Sequence, residues 1–239
     1  MQPCLSIVIP AFNEERRLPV SLGRIGDFLA GRDDWRPAEV IVVDDGSTDR
    51  TVAVARAFTP PAGVSLVVLT LGANRGKGAA VRAGLATARG TRVLISDADL
   101  ATPIEELDEL AGHAVLLAVG SRAVRRELIG RRQPLARDLL GRSFNLFLRL
   151  LGLTALGDTQ CGFKLLDGEL ARRLAAELRL DGFAFDVEML ARAVRAGAAT
   201  AEVPVRWNHV EESRVRPLRH GLAMLADAVR IRLWLWQGR

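Results

Sequence analysis

The stretch VLISDAD at residues 93–99 runs from a short apolar segment directly into two aspartates separated by one alanine. The apolar part has the length and residue types of a buried β-strand. Side chains at positions i and i+2 of a strand point to the same side, so Asp97 and Asp99 are predicted to bind one divalent cation, Mg²⁺ or Mn²⁺. Isolated aspartate pairs also occur in solvated loops, so the rest of the chain must support this interpretation.

Three more strand-like segments precede this one, and each ends in a polar turn. The segments at 5–10 and 39–43 lead into AFNEE and DDGSTD, and the segment at 64–69 leads into NRGKG at 74–78 and an alanine-rich helix. Strands that alternate with helices predict an α/β fold, a Rossmann-like, mostly parallel sheet with helices on both faces. Because parallel strands place their carboxyl ends at one edge, we expect the four polar turns to meet there.

The chain has 239 residues and no linker-like tract. It is therefore predicted to form one catalytic domain, residues 1–217, followed by an amphipathic helix at 218–239. The net charge of +5 is carried almost wholly by arginine, since Lys77 and Lys164 are the only lysines. Arginine favours bidentate binding of phosphate, although a GC-rich genome would produce the same bias.

Two cysteines, Cys4 and Cys161, lie far apart and lack metal-binding spacing. This pattern predicts neither a disulfide framework nor a zinc site and fits a reducing compartment. The amino terminus lacks the pattern of a secretion signal, and no apolar run reaches the roughly 20 residues of a spanning helix. We therefore expect a protein that is neither secreted by a standard signal nor membrane-spanning.

Seven motifs occur in an order that resembles the family 2 inverting glycosyltransferases, which have the GT-A fold. The last three make the chain similar to the branch that transfers glucose to dolichyl or polyprenyl phosphate. The motifs are IPAFNEE (9–15), VDDGSTDRT (43–51), NRGKGAAV (74–81), SDADLATP (96–103), DTQCGFK (158–164), FAFDVE (183–188) and EVPVRW (202–207).

The resemblance implies metal-dependent, inverting transfer of a hexose from a nucleotide sugar to a polyprenyl phosphate, with UDP-glucose the favoured donor. Mannose-transferring relatives carry a glutamine two positions after the second metal aspartate, whereas this chain has Ala101. Two alternatives stay open: a soluble or glycolipid hydroxyl acceptor, and a mannosyl-phosphate-lipid synthase that uses GDP-mannose. The expected partners are the nucleotide sugar, the lipid phosphate and a membrane surface, with no nucleic acid and the oligomeric state undetermined.

The resemblance also implies the residues of the donor site. Asp44 is expected to accept a hydrogen bond from the base. The glycines around Lys77 are typical of a turn that cradles a phosphate near a helix N-terminus, although the spacing is not that of a Walker motif. The remaining expected nucleotide-sugar contacts are Pro10, Ala11, Asn13, Glu14, Asp97, Ala98 and Asp99.

An arginine-rich stretch follows Gly120 and lacks the interleaved aromatic residues typical of nucleic-acid binding. By resemblance, Arg122 and Arg142 bind the acceptor phosphate. Ser213 follows the strand predicted at 204–207, in a loop that we expect to close over the acceptor and contact its phosphate. A phosphate monoester is already nucleophilic at neutral pH, so no general base is required. A hydroxyl acceptor would need one, and the resemblance makes Asp158 the nearest candidate. Gln160 is expected to point toward the donor sugar or the metal.

Two segments are amphipathic at helical spacing. In the first, an apolar stripe opposes Arg142 and Arg149, which fits a helix lying on a membrane or one packed on the core. In the second, we expect the stripe, with Trp234, to lie on the cytoplasmic surface of a membrane, making the protein peripheral. Packing on the catalytic domain or on a partner subunit is the alternative. The stripes are Leu140, Phe144, Phe147, Leu148 and Leu151, and Leu218, Leu222, Leu225, Val229, Leu233 and Trp236.

Overall fold

The computed structural model describes residues 2–131, 135–208 and 217–238. Seven strands form the main sheet, and β6 and β9 form a small second one. The strands are β1 Leu5–Ala11, β2 Ala38–Asp44, β3 Val64–Thr70, β4 Arg92–Ile95, β5 Leu117–Ser121, β6 Ile129–Arg131, β7 Lys164–Asp167, β8 Thr200–Pro204 and β9 Trp207–Asn208.

In the described ranges, eight α-helices surround the sheet, with short 3₁₀ turns at Asp33–Trp35, Ile104–Glu106 and Arg126–Leu128. The helices are α1 Leu18–Ala30, α2 Thr51–Ala57, α3 Lys77–Thr87, α4 Leu107–Ala111, α5 Leu135–Leu150, α6 Gly168–Glu177, α7 Phe185–Arg195 and α8 Pro217–Trp236.

The main sheet has the strand order β3-β2-β1-β4-β7-β5-β8. β1 to β4 are parallel to one another, which confirms the predicted alternation of strands and helices. β7 runs antiparallel between β4 and β5, and β8 is parallel to β5. The carboxyl ends of β1, β2, β4, β5 and β8 and the amino end of β7 therefore share one edge. Open α/β sheets bind their ligands at this edge.

The central strands are buried on both faces, which explains their unbroken apolar runs. In β1, Val8 packs with the cluster beneath α3, α6 and α7, while Ile7 and Ile9 pack with the cluster beneath α1 and α4. All three side chains are fully buried. The sheet thus has a hydrophobic core on each face. Its polar edge is the expected location of a ligand-binding site.

The first amphipathic stripe packs mostly on the core. Leu148 is buried, and Phe144, Phe147 and Leu151 are partly buried against the same cluster, while Leu140 is exposed. The membrane-facing interpretation of this stripe is therefore wrong for four of its five residues. A different stripe on α5 faces solvent, formed by Leu139, Leu146 and Leu150.

The second stripe, on α8, is solvent-exposed from Leu222 to Trp236, whose side chains are 72% and 79% exposed. Its packing on the catalytic domain is thereby contradicted. The opposite face packs on the core through Ala228 and Ile231. Trp234 is less exposed than this stripe: it is partly buried against the core, with the Arg179 guanidinium 5.4 Å from its ring centroid.

In the described ranges, no helix is both long and apolar enough to cross a membrane. α8 contributes side chains to the same core as the sheet. The predicted boundary between a domain at 1–217 and a helix at 218–239 remains a prediction.

Candidate functional site

Asp97 and Asp99 lie in a turn and not in a strand, because β4 already ends at Ile95. The backbone N–H of Leu100, a residue with φ of 45°, donates to the Asp97 carbonyl at 3.2 Å. The strand-spacing argument is therefore wrong in detail. The two carboxylates nevertheless belong to the same short turn, and burial and then the charge of Asp97 raise the pKa of Asp99.

Lys77 brings a positive charge to this acidic turn from the first position of α3. Its ammonium lies 2.6 Å from Asp97 Oδ1 and 5.9 Å from the ring centroid of Phe185. Burial alone would lower the pKa of Lys77, but the Asp97 carboxylate raises it above the usual range. In the described part of the chain, no group of three or more His, Cys, Asp or Glu side chains could hold a metal. Asp97 and Asp99 are thus a two-carboxylate site.

Three backbone amides of the NRGKG turn bind other parts of the chain, which disfavours the predicted phosphate cradle. The amides of Arg75 and Gly76 donate to the carboxylate of Asp45 at 2.7 and 2.9 Å, and that of Gly78 donates to the carbonyl of Asp181 at 2.7 Å. Gly76 has φ of 115°, and a Cβ there would lie 2.3 Å from the Asp181 carbonyl oxygen. The glycines therefore allow the turn to pack on the chain, and Lys77 alone points at the acidic turn.

The residues expected at the base and ribose lie at the ends of β1 and β2. Pro10 and Ala11 close β1. Asn13 has φ of 55°, and its Oδ1 accepts a hydrogen bond from the Thr48 amide at 2.7 Å. The carboxylate of Glu14 pairs with Arg17 at 2.6 Å.

Asp44 and Ala98 are buried beside these residues. The Asp44 carboxylate accepts hydrogen bonds from the Ser47 amide at 3.3 and 3.2 Å, and the Ala98 carbonyl accepts one from Ser21 Oγ at 2.7 Å. The fold thus brings the predicted donor residues to one edge, while their contact with a nucleotide stays a prediction.

Arg122 follows β5 and forms a bidentate ion pair with Asp158. The Arg122 Nε and Nη2 donate to the carboxylate at 2.6 and 2.8 Å, and the Arg122 amide donates at 3.1 Å. Although burial raises the pKa of Asp158, the Arg122 charge outweighs it and lowers the value to about 2. Asp158 is therefore ionised and already hydrogen-bonded, which disfavours its role as a general base and favours one as support for Arg122.

A cavity of about 410 Å³ opens beside this pair. Arg122 and Arg142, predicted to bind the acceptor phosphate, both line it, and Arg126 adds a third guanidinium. Arg122 lies over the ring of Trp207, 5.4 Å from the centroid. The polar lining includes Asn145 and Gln160, and the apolar lining includes Ile129, Phe144 and Trp207.

The DTQCGFK segment links this cavity to the acidic turn. Gln160 lines the cavity, and its buried Nε2 has no hydrogen-bond partner in the described ranges, so it can donate to a ligand. A Cβ at Gly162 would lie 2.0 Å from Asp97 Oδ2, so only glycine allows the segment to approach the acidic turn this closely. Asp158 and Gly162, four residues apart, thus contact the two halves of the site.

Two charged residues near the site had no function predicted from the sequence. Lys164 is fully buried and donates to the Cys161 carbonyl at 2.5 Å and to Asp186 at 2.7 Å, which fastens the DTQCGFK segment to α7. Glu202, in β8, binds the start of that segment. Their signal in the sequence was a charged residue within an apolar segment. Ser213, predicted to contact the acceptor, lies outside the described residues.

A carboxylate pair at the switch point of a Rossmann-like sheet, beside a cavity lined by arginines, is the arrangement of a GT-A glycosyltransferase. Residues 6–172 match the family described as Glycosyl transferase family 2. The chain belongs to this family and is a glycosyltransferase.

Relatives over nearly the whole chain carry a more specific name. The dolichyl-phosphate beta-glucosyltransferase of Homo sapiens is 39% identical over 243 residues, which cover 96% of this chain and 75% of the human protein. The Drosophila melanogaster enzyme of the same name is 39% identical over 93% of this chain and 72% of its own length. That of Saccharomyces cerevisiae is 31% identical, with coverages of 96% and 74%.

Solved structures support the fold. Glucosyl-3-phosphoglycerate synthase from Mycobacterium tuberculosis, crystallised with UDP, is 23% identical and aligns with a TM-score of 0.66 over 97% of this chain and 79% of the synthase. The same enzyme has been crystallised with Mn²⁺ and UDP-glucose. The predicted GT-A fold is confirmed.

Proposed function

We propose that this enzyme transfers glucose from UDP-glucose to a polyprenyl or dolichyl phosphate, with inversion at the anomeric carbon and with Mg²⁺ or Mn²⁺ as cofactor. The names of the relatives that match most of the chain support the sugar and the acceptor. The bound UDP-glucose of the synthase with the same fold supports the donor.

The observation that carries the proposal is the Arg122–Asp158 pair. A hydroxyl acceptor needs a base, but the Asp158 carboxylate is engaged by Arg122 and has a pKa of about 2. A phosphate monoester, whose second pKa is about 6, needs no base, because one of its oxygens attacks the anomeric carbon as an anion. Three guanidinium groups in one cavity suit such a dianion.

The apolar lining of the cavity suits the lipid part of the acceptor. Ile129, Phe144 and Trp207 border the same space as the arginines, so a ligand with an anionic head and an isoprenoid tail is complementary to it. A small, fully polar acceptor would leave this apolar surface in water.

The acidic turn fits a divalent cation. Asp97 and Asp99 offer hard oxygen ligands, and the fold already places the Lys77 ammonium 2.6 Å from Asp97, so this site favours positive charge. A cation bound there would neutralise charge that develops on the departing nucleoside diphosphate. Lys77 would contribute a further positive charge on the same side.

A lipid acceptor requires access to a membrane, and two exposed apolar stripes support a peripheral location; we place it on the cytoplasmic face as part of the proposal. Leu139, Leu146 and Leu150 form one stripe on α5, and the exposed residues from Leu222 to Trp236 form the other on α8. Both helices pack on the same core cluster, so they lie on the same side of the sheet. The exposed Arg149 and Arg230 beside them would attract anionic lipid.

The decisive experiment compares acceptors that differ by one group. Purified enzyme with radiolabelled UDP-glucose should label a polyprenyl phosphate and leave the polyprenol of the same chain length unlabelled. The phosphate is already an anionic nucleophile, whereas the hydroxyl of the polyprenol needs a base. Radiolabelled GDP-mannose should give no labelled lipid. Labelling of the polyprenol or of a soluble sugar would overturn the acceptor, and efficient use of GDP-mannose would overturn the donor.

A further inference from the structure

The carboxylate of Glu202 lies at the junction of the two segments that carry the Arg122–Asp158 pair. Glu202 belongs to β8, which lies beside β5 in parallel register. Its Oε1 accepts hydrogen bonds from Ser121 Oγ at 2.6 Å and from the Asp158 amide at 2.9 Å. Its Oε2 accepts one from the Gly157 amide at 2.7 Å. One side chain therefore ties the end of β5 to the start of the DTQCGFK segment.

The bonded positions adjoin both members of the ion pair. Arg122 directly follows Ser121, and the Asp158 whose amide binds Glu202 is the residue whose carboxylate binds Arg122. Hydrogen bonds and the covalent chain thus form a closed ring. It runs from Glu202 to the end of β5 and Arg122, from Arg122 to Asp158, and from Asp158 back to Glu202. We propose that Glu202 is a positioning residue that holds Arg122 in the orientation needed to bind the acceptor phosphate; this inference rests on the proposed function.

The partners of Glu202 suit this role. In the described part of the chain they are one hydroxyl and two backbone amides, with no lysine or arginine. A carboxylate can accept all three bonds, whereas a glutamine side chain accepts through one oxygen and presents an NH₂ group to the remaining donors. Glu202→Gln, which keeps the size of the side chain, must therefore loosen the junction.

Glu39 provides a control at the opposite edge of the sheet. Its carboxylate accepts a hydrogen bond from Ser6 Oγ on the neighbouring strand at 2.6 Å and one from the Arg89 amide at 2.7 Å, and unlike Glu202 it also forms an ion pair with the Arg89 guanidinium at 3.0 Å. Glu39 is fully buried, so Glu39→Gln should destabilise the fold at least as much as Glu202→Gln. Glu39 lies near the amino ends of β1 and β2, far from the acceptor cavity, so its loss should not alter acceptor binding.

The first measurement is the binding of farnesyl phosphate, a short polyprenyl phosphate, to wild type and variants by calorimetry. Glu202→Gln should raise the Kd about 10- to 100-fold, as expected for the loss of charge-assisted hydrogen bonds. The Kd for UDP-glucose should stay unchanged. In transfer assays the acceptor KM should rise by the same factor while the donor KM does not. Glu39→Gln should change neither.

The second measurement is a double-mutant cycle with Arg122→Ala. If Glu202 acts through Arg122, Glu202→Gln should add little to the loss already caused by Arg122→Ala, whereas a merely structural residue would add its own full effect. Ser121→Ala removes one partner of Glu202 without changing any charge, and it should weaken farnesyl phosphate binding in the same direction by a smaller factor. This variant keeps the test valid if Glu202→Gln folds poorly.

The outcomes separate this inference from the proposed function. Loss of farnesyl phosphate binding in Arg122→Ala, with normal binding in Glu202→Gln and Ser121→Ala, would overturn the positioning role alone. Additive losses in the cycle, or equal losses of donor and acceptor binding, would do the same. Normal farnesyl phosphate binding in Arg122→Ala would overturn both the acceptor site and the role of Glu202.

Discussion

The proposed donor half and the proposed acceptor half of the site are built in opposite ways. The donor half uses the carboxyl ends of β1, β2 and β4 and the first residue of α3, which all lie in the first 100 residues. The acceptor half collects Arg122, Arg142, Asp158 and Trp207 from distant parts of the chain around one cavity. A carboxylate pair dominates the first half and a cluster of guanidiniums the second, so one favours a cation and the other an anion.

The two halves are also held in place by different kinds of contact. The donor loops are fastened by side chain to backbone bonds between neighbouring turns, such as Asp45 to the amides of Arg75 and Gly76. The acceptor half is fastened by two carboxylates, the buried Asp158 on Arg122 and the half-buried Glu202 on the segment that carries Asp158. Substitutions should therefore separate the two halves by which substrate they affect.

The largest effect should come from the acidic turn. Asp99→Ala should lower transfer by about 1000-fold or more, because several kcal/mol of charge stabilisation on the departing diphosphate disappear. The thermal unfolding midpoint should change little. Transfer rates measured across a Mn²⁺ titration check this, with Asp27→Ala, an exposed carboxylate on α1, as control. Full activity of Asp99→Ala in the presence of EDTA would contradict the assignment of the acidic turn as a metal site.

The arginines of the acceptor half come next. Arg122→Ala and Arg142→Ala should each lower kcat/KM for the lipid phosphate by roughly 10- to 1000-fold while donor binding persists, since each removes charge-assisted bonds to a phosphate. Arg149→Ala, at an exposed position of the same helix as Arg142, is the matched control and should have little effect on transfer in detergent. A parallel loss of UDP-glucose affinity would assign the two arginines to the diphosphate.

The surface proposed to face a membrane should show a smaller effect. Because α8 packs Ala228 and Ile231 on the core, substitutions on its exposed face are a cleaner test than deletion of the helix. Leu222→Gln combined with Leu233→Gln should lower binding to anionic vesicles by about 10- to 100-fold, as less apolar surface enters the lipid. Val20→Gln, an exposed apolar position on α1, is the control. Unchanged vesicle binding by the double variant would contradict the membrane role of α8.

The smallest effect concerns stability and pH. The pKa of Asp158 is lowered to about 2, so its ionised form stabilises the fold fully above the unfolded pKa near 4, and this contribution disappears as pH falls toward 2. Asp158→Asn should lower the free energy of unfolding by about 2 kcal/mol at neutral pH. This difference from wild type should shrink between about pH 4 and 2. Urea unfolding at several pH values tests this. A difference that persists unchanged at pH 2 would show that the ion pair is not its source.

Local patterns were sufficient for the first four strands and their polar turns, because buried strands and turn residues have strong local signals. The antiparallel insertion of β7 had no such signal, since it depends on which neighbour remains free after the other strands pair. Asp97 and Asp99 were predicted as neighbours, although the turn after β4 brings them together and not the spacing within a strand.

The choice between alternatives at the helices also needed the tertiary structure. Periodicity showed that α5 and α8 each have an apolar stripe, but it could not say which stripe meets the core. On α5 the predicted stripe packs inward, and on α8 it faces solvent. Both stripes have the same hydrophobic pattern, and only the position of each helix relative to the sheet distinguishes them.

The family, the α/β alternation and the residue types of both half-sites follow from the amino-acid sequence, because these depend on neighbours along the chain. The folded chain was needed to find that Asp158 supports Arg122, that Gly76 packs against Asp181 and that Glu202 joins two segments. Each of these contacts joins residues from 36 to more than 100 positions apart. Such contacts are set by strand order and helix packing, which no local pattern contains.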